Sequence, residues 1–473
     1  MPDPLTSRAD GFEQGKLLRA RTPREAHADL HGPLARDAVA ILAESDANRV
    51  PELLPERYRR MTESAFAFLR GAAAVMANDL AHQPAAGVPV QACGDCHLMN
   101  FGAFNTPEDN ILFDINDFDE TLPDVDFTVD LKRLAASVAV AAKAANVSNK
   151  RARILAADTV AAYREHMFTL MELSPLEVWH RRVDLEQKLK LIKNLDLRRD
   201  LSTLIARARA GNLEKDDNFP HLVAGDEPRI ADKPPIIFHF DPKADPRHKI
   251  DAHRAFKLYR ASLSPDRVTL LDRHQLRDIA FKAVGVGSVG TFCCVGLFLS
   301  RNKEPLFLQV KEAQKSVLER LGRSVAYQGP QGRRIVEGQR MMQAASDIFL
   351  GWTSDEASGR QFYVRILKNR RLGGVSEIAE QEALSGYARL CGWTLARSHA
   401  RSGDPAVIAG YMGRSQAFDD AIASFALAYA DQTSIDRAAL VKAKSRSAAL
   451  EKINSPPTRN RPARKATFER RSA

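Results

Sequence analysis

Between Ile111 and Asn116 the side chains alternate. Ile111, Phe113 and Ile115 fall on one side, Leu112, Asp114 and Asn116 on the other, which is the period of a β-strand. The short apolar run VPVQAC (88–93) predicts a strand before it, and GDCHLMNFG between them predicts a turn. Helical spacing marks MTESAFAFLRGAAAVMANDLA, from Tyr58 to about Ala81, ended by Pro84 and Gly87. FTVDLKRLAASVAVAAKAA (127–145) is helical by composition, and further helices are expected to about Ala210.

The second half reads differently. IAFKAVGVGSVGTFCCVGLFLS predicts two strands around a glycine turn, and PLFLQVKEA a third after Asn302–Lys303. Helix is expected over 314–321 and 332–345, strand over 360–368, and helix again over 378–400 and 417–429. The run Ala283 to Ser300 has no charge, but it is barely the length of a span and is broken by four glycines, so no membrane segment is expected.

Length and composition set the frame. A chain of 473 residues, 44% hydrophobic and 27% charged, predicts a globular protein of two or three lobes. The expected divisions are an irregular segment 1–50, the first part of a large lobe 51–210, a Pro/Asp/Gly-rich linker 211–250, a strand-rich lobe 251–370, a helical remainder 371–440 and a disordered basic tail 441–473. That tail holds ten Lys or Arg against two acids and so carries +8 of the net +10. The body is near neutral, and nucleic-acid binding is expected, if anywhere, only through the tail. Five cysteines give an odd count without framework spacing, which predicts reduced thiols in the cytoplasm. The N-terminus has no apolar signal region.

The candidate chemistry lies first in GDCHLMN. Asp95 and Asn100 stand five apart on a loop that can turn both inward, and Asp117 follows at the end of the alternating strand. A carboxylate to accept the proton of an attacking hydroxyl, with an amide oxygen and a second carboxylate for magnesium, is what phosphoryl transfer requires. His97 either orients the loop or fills the turn. The second part is GVGSVG, with Gly285, Gly287 and Gly290. A lone GxGxxG says little, but here a strand follows it where a dinucleotide fold has a helix. Strand, glycine loop, strand predicts a flap over the phosphates of ATP, and Lys311 on the third strand then holds those phosphates. Its expected carboxylate partner is Glu337, with Glu319 the alternative. HARSGDPAVIAG repeats Gly-Asp, but Ala409 stands five after Asp404, so Asp404 is expected to be structural.

The chain resembles the bacterial family catalogued as domain of unknown function 2252, in RYRRMTESAFAFLRGAAAVMA, VQACGDCHLMNFGAF, FDINDFDETLPDVDFTVDLKRLAAS, VGVGSVGT and GWTLARSHARSGD, over most of residues 20–435. That resemblance implies no substrate. The segment around Asp95 is also similar to the aminoglycoside phosphotransferase and choline kinase group, with Cys93 where a histidine often stands. This second resemblance implies Asp95 as base, Asn100 and Asp117 as metal ligands, and Asp130 as a structural acid beginning a later helix. It also implies an α+β, two-lobed protein-kinase-like fold with a helix-rich large lobe and a small antiparallel-sheet lobe. Because GDCHLMN precedes GVGSVG, the order is that of a circular permutation. The helix leading into the strand at 88–93 is either 60–82 or 386–400. The expected activity is transfer from ATP, with magnesium, to an unidentified small-molecule or protein hydroxyl. A nucleotide-binding regulatory protein and a nucleotidyl transferase are the alternatives.

Overall fold

The computed structural model describes residues 6–30, 36–106, 108, 110–190, 195–210, 219–223, 228–234, 236–239, 250–282, 290–322, 326–367 and 381–454. The architecture is α+β with antiparallel sheets. Among the described residues, no helix is long and apolar enough to cross a membrane.

The N-terminal segment is not irregular as expected. It forms α1 (Arg8–Arg21) and α2 (Ala38–Ser45). The reason α1 escapes the periodicity is that its buried face is made of Gly11 and Gly15 rather than of large apolar residues. The helix expected from Tyr58 to Ala81 is three helices, α3 (Leu54–Met61), α4 (Ala65–Gly71) and α5 (Ala73–Leu80). Ser64 caps α4 by accepting the N–H of Ala67 at 3.0 Å, and Ala72 leaves helical geometry.

Strands β1 (Pro89–Ala92) and β4 (Leu122–Asp126) pair antiparallel, and between them β2 (Phe101–Asn105) and β3 (Ile111–Ile115) make a hairpin. All five residues of β3 are buried, so both sides of the alternating strand face protein. Helix α6 (Phe127–Ala144) follows β4 directly, with sixteen of its eighteen residues buried. Helices α7 (Asn149–Met171), α8 (Pro175–His180), α9 (Leu185–Leu189) and α10 (Leu195–Ala210) continue this body.

The expected linker supplies short strands where it is described: β5 (Leu222–Val223) pairs with β6 (Arg229–Ile230), and β7 (Ile237–Phe238) joins the edge of the large sheet. Helices α11 (Ala252–Ala261) and α12 (Pro265–Leu271) lead into β8 (His274–Lys282), β9 (Cys293–Ser300) and β10 (Pro305–Glu312). Then come α13 (Gln331–Met342), β11 (Gly351–Asp355) and β12 (Arg360–Ile366). The sheet order is β11–β12–β10–β9–β8–β7, antiparallel throughout. Tyr259, Leu263 and Leu271 of the α11–α12 segment pack with Phe298, Leu308 and Val364 of the sheet.

Helices α14 (Gln381–Ala400), α15 (Pro405–Met412) and α16 (Ala417–Asn454) return to the helical body. Helix α16 crosses the boundary expected at 441, because AALVKAKSRSAALEKIN is rich in helix-forming Ala, Leu and Lys. The rest of the expected tail, 455–473, lies outside the described residues.

Candidate functional site

The loop from β1 to β2 is fixed from behind by α6. Asp130, fully buried in the first turn of that helix, accepts the N–H of Cys93 at 2.6 Å and of Gly94 at 2.9 Å. Its Oδ2 also lies 3.2 Å from His399 Nε2, and His399 Nδ1 is 2.9 Å from the Tyr163 hydroxyl. Gly94 sits at φ 89°, and a Cβ there would lie 2.3 Å from the carbonyl oxygen of Glu120. Only glycine fits, which explains Gly-Asp as a pair. Leu98 donates its N–H to Ser137 Oγ on α6 at 3.1 Å.

Asn100 is buried, and its side-chain nitrogen donates to the carbonyl of Asp95 at 3.0 Å and of Asp117 at 3.1 Å. The amide thus ties the two acid-bearing segments together. With the nitrogen committed, the side-chain oxygen Oδ1 is the atom of Asn100 that can serve a ligand. Asp117 keeps 25% of its side-chain surface in solvent.

The Asp95 carboxylate is held by Arg133 of α6, whose Nε reaches Oδ1 at 2.7 Å and whose Nη2 reaches the same oxygen. His97 Nε2 is 3.6 Å from Oδ2, and its ring packs edge-on against Phe66. Burial alone would raise the Asp95 carboxyl, but Arg133, His97 and Arg70 override it and hold the group below its ordinary value. The expected trio is therefore brought together. Arg70 acts on Asp95 electrostatically. Arg59, by contrast, is spent on surface pairs with Glu56 and Glu63.

Lys311 reaches this loop from the sheet. Its Nζ is 2.7 Å from Asp119 Oδ2 and 3.9 Å from Asp117 Oδ1, with only 2% of the residue exposed. Burial would lower the ammonium; Asp117 and Asp119 outweigh it and keep it charged above its ordinary value. The expected partner is corrected here. Glu337 is half exposed and bound to Arg333 at 2.7 Å and to the Tyr327 hydroxyl at 3.3 Å. The residue that α13 turns inward is its neighbour Arg334, buried, which donates to the carbonyls of Asp119 and Gln314 at 2.9 and 2.8 Å and to that of Thr121. Glu319 interacts electrostatically with Arg334. Gly285 and Gly287 lie outside the described residues; Gly290, at the loop's end, accepts the N–H of Val50 at 2.7 Å.

Sequence reasoning missed Asp119, Arg133, Tyr363 and Arg365. Tyr363 donates its hydroxyl to Asp119 Oδ1 at 2.6 Å, and Arg365 donates to the carbonyl of Asn116 at 3.2 Å. The third acid of DINDFDE was a visible signal for Asp119. The other three depend on helix docking and strand register, which no local pattern encodes.

The end of α14 meets the start of β1. Ser402 Oγ accepts the N–H of Gln91 at 2.8 Å, and a Cβ on Gly403 would lie 2.7 Å from Val90. Asp404 caps α15, accepting from Ala406 and Val407 at 2.8 and 3.3 Å, a structural role as expected. All five cysteines are free and buried.

Asn100 Oδ1 and the part-exposed carboxylate of Asp117 are oxygen donors suited to a hard cation. A second cluster, Cys93, Cys96 and Asp130, brings its ligand atoms within 4.8 Å of one another, but the oxygens of Asp130 already serve two amides and His399.

A family model described as "Uncharacterized protein conserved in bacteria (DUF2252)" matches residues 49–443. No curated protein and no solved structure matches the chain.

Proposed function

The chain belongs to this bacterial family, and we propose for it an ATP- and magnesium-dependent phosphotransferase of two-lobed, kinase-like and circularly permuted type. The observation that carries the reading is Lys311. A buried lysine on β10, the second strand after the glycine segment, meets, at 2.7 and 3.9 Å, the acids of a loop about 190 residues earlier in the chain. Two half-sites read separately from sequence thus share one locus.

Three further features favour it. Asp130, for which the resemblance implied a structural role, accepts the loop amides from the helix that follows. Strands β11–β12–β10–β9–β8 of the six-stranded sheet, with α13 between β10 and β11, are antiparallel, which suits the small lobe this reading expects. The contact of Ser402 with Gln91 puts the end of α14 where a helix would feed β1, which fits 386–400 rather than 60–82 as the permuted joint.

In this reading Lys311 neutralises phosphate charge and Asp95 positions the acceptor hydroxyl through Oδ2, since Arg133 occupies Oδ1. Asn100 Oδ1 and Asp117 would hold magnesium, which when bound would offset the negative charge of the phosphates. Arg133 also favours a second reading. By keeping Asp95 a weak base it suits a nucleotide-binding protein with little transfer.

Labelled ATP, magnesium and a metabolite extract incubated with the full chain test the proposal. A labelled product that disappears with Asp95→Asn supports it, and its added mass separates phosphoryl from nucleotidyl transfer. Turnover unchanged in Asp95→Asn removes Asp95 from its role. Magnesium-dependent ATP binding without product selects the second reading.

A further inference from the structure

The lysine of the proposed nucleotide site is anchored in an unexpected place. The helix beside the sheet presents Glu337 to solvent, where Arg333 and Tyr327 engage it. Asp119 instead spends one carboxylate oxygen on Lys311 at 2.7 Å and the other on the Tyr363 hydroxyl at 2.6 Å. Lys311 and Tyr363 are direct register partners on β10 and β12, so the sheet offers a matched pair of donors to one acid. The backbone of Asp119 is held as well, because Arg334 donates to its carbonyl at 2.9 Å. Asp119 therefore has no freedom to swing away from the lysine.

We propose that Asp119 is the positioning residue for Lys311 and that it links the nucleotide lobe to the metal loop. This rests on the phosphotransferase reading. The anchor of the lysine lies two residues from the metal ligand Asp117, on the same short segment. Docking the sheet on that segment sets lysine and metal ligand in one step. A displacement of the segment misplaces both, so nucleotide and magnesium binding are coupled through it. In a site anchored from a separate helix the two would be independent.

The test is binding of a fluorescent ATP analogue to the full chain, with and without magnesium, in Asp119→Asn, Tyr363→Phe and Glu337→Gln. Asp119→Asn is expected to weaken binding by about ten-fold or more, as loss of the partner of a buried lysine does. Tyr363→Phe, which keeps both charges, is expected to weaken it about three-fold, roughly the loss of one hydrogen bond. Glu337→Gln is expected to leave it unchanged. In a Lys311→Met background, Asp119→Asn should add little, and in the wild-type background it should raise the reactivity of Lys311 toward an amine-acylating reagent. A merely structural role would give additive losses and no change in reactivity. Binding within two-fold of wild type in both Asp119→Asn and Tyr363→Phe, with a loss in Glu337→Gln, overturns the inference while leaving ATP binding intact. A wild-type chain that does not bind the analogue removes the phosphotransferase reading, and the inference with it.

Discussion

The carboxylate of Asp130 accepts the backbone N–H of Cys93 at 2.6 Å, tying the first turn of α6 to the loop that carries Asp95. The second oxygen takes the N–H of Gly94, and His399 stands behind the pair. Asp130→Ala strands two buried amides and an imidazole. It is expected to destabilise the chain by roughly 3–5 kcal/mol, since each buried donor left without its acceptor costs about 1–3 kcal/mol. A shift in urea midpoint checks this. Asp130→Asn, which keeps one acceptor oxygen, should lose less.

Asp95 is paired with Arg133, which is only 2% exposed. Alanine would leave the Nε–H of the buried Arg133 without an acceptor, whereas asparagine keeps an oxygen there, so Asp95→Asn is the cleaner variant for kinetics. It should lower any transfer rate by about 100-fold or more, with a smaller loss of thermal stability than Asp95→Ala. Turnover and thermal melts of the two variants, measured side by side, separate the catalytic effect from the structural one.

Burial pushes the Glu120 carboxyl from an ordinary 4.5 up to about 7, against the Val317 N–H and Arg334, with Asp119 and Asp95 adding to the rise. The folded chain thus keeps a proton that the unfolded chain has already released. Stability from this group is fully present below about pH 4.5 and is lost as pH rises through about 7. Glu120→Gln should flatten that slope, being more stable than wild type at pH 8 and similar at pH 5. Urea midpoints at the two values decide it, and an unchanged difference between them would count against the assignment.

Helices α1 and α15 cross at glycines on both sides. A Cβ on Gly15 would lie 2.1 Å from the carbonyl of Val407, and one on Gly410 would lie 2.1 Å from that of Phe12. Either alanine must push two backbones apart, at a cost of about 1–3 kcal/mol. Gly11→Ala, whose Cβ would meet its nearest neighbours at an ordinary 3.4 Å, is the control. Limited proteolysis near residue 20 should accelerate in the first two variants and not in the third.

Legibility followed the range of the interaction. Asp95 and Asn100 were readable as candidates because they stand five residues apart on one short loop. The Lys311 position followed from a strand–loop–strand pattern confined to about thirty residues. Its partner was misread because choosing Glu337 over Asp119 needs the rotation of α13 about its axis. Arg334, three residues before Glu337 and about 60° from it around the helix, faces inward while Glu337 stays in water. The helix at 8–21 went unread because close backbone approach selects glycine, which carries no apolar signal.

By itself the sequence pointed to the α+β class through a resemblance, and to Asp95, Asn100, Asp117 and Lys311 as candidates through spacing and periodicity a few residues long. Tertiary structure decided what those residues hold. Asn100 bridges two carbonyls seventeen residues or less away, but Arg133, Lys311 and Tyr363 reach the loop across separations of 38, 192 and 244 residues. At those separations strand register and helix rotation choose the partner, and both are fixed by the packing of the whole core rather than by any neighbour in the chain.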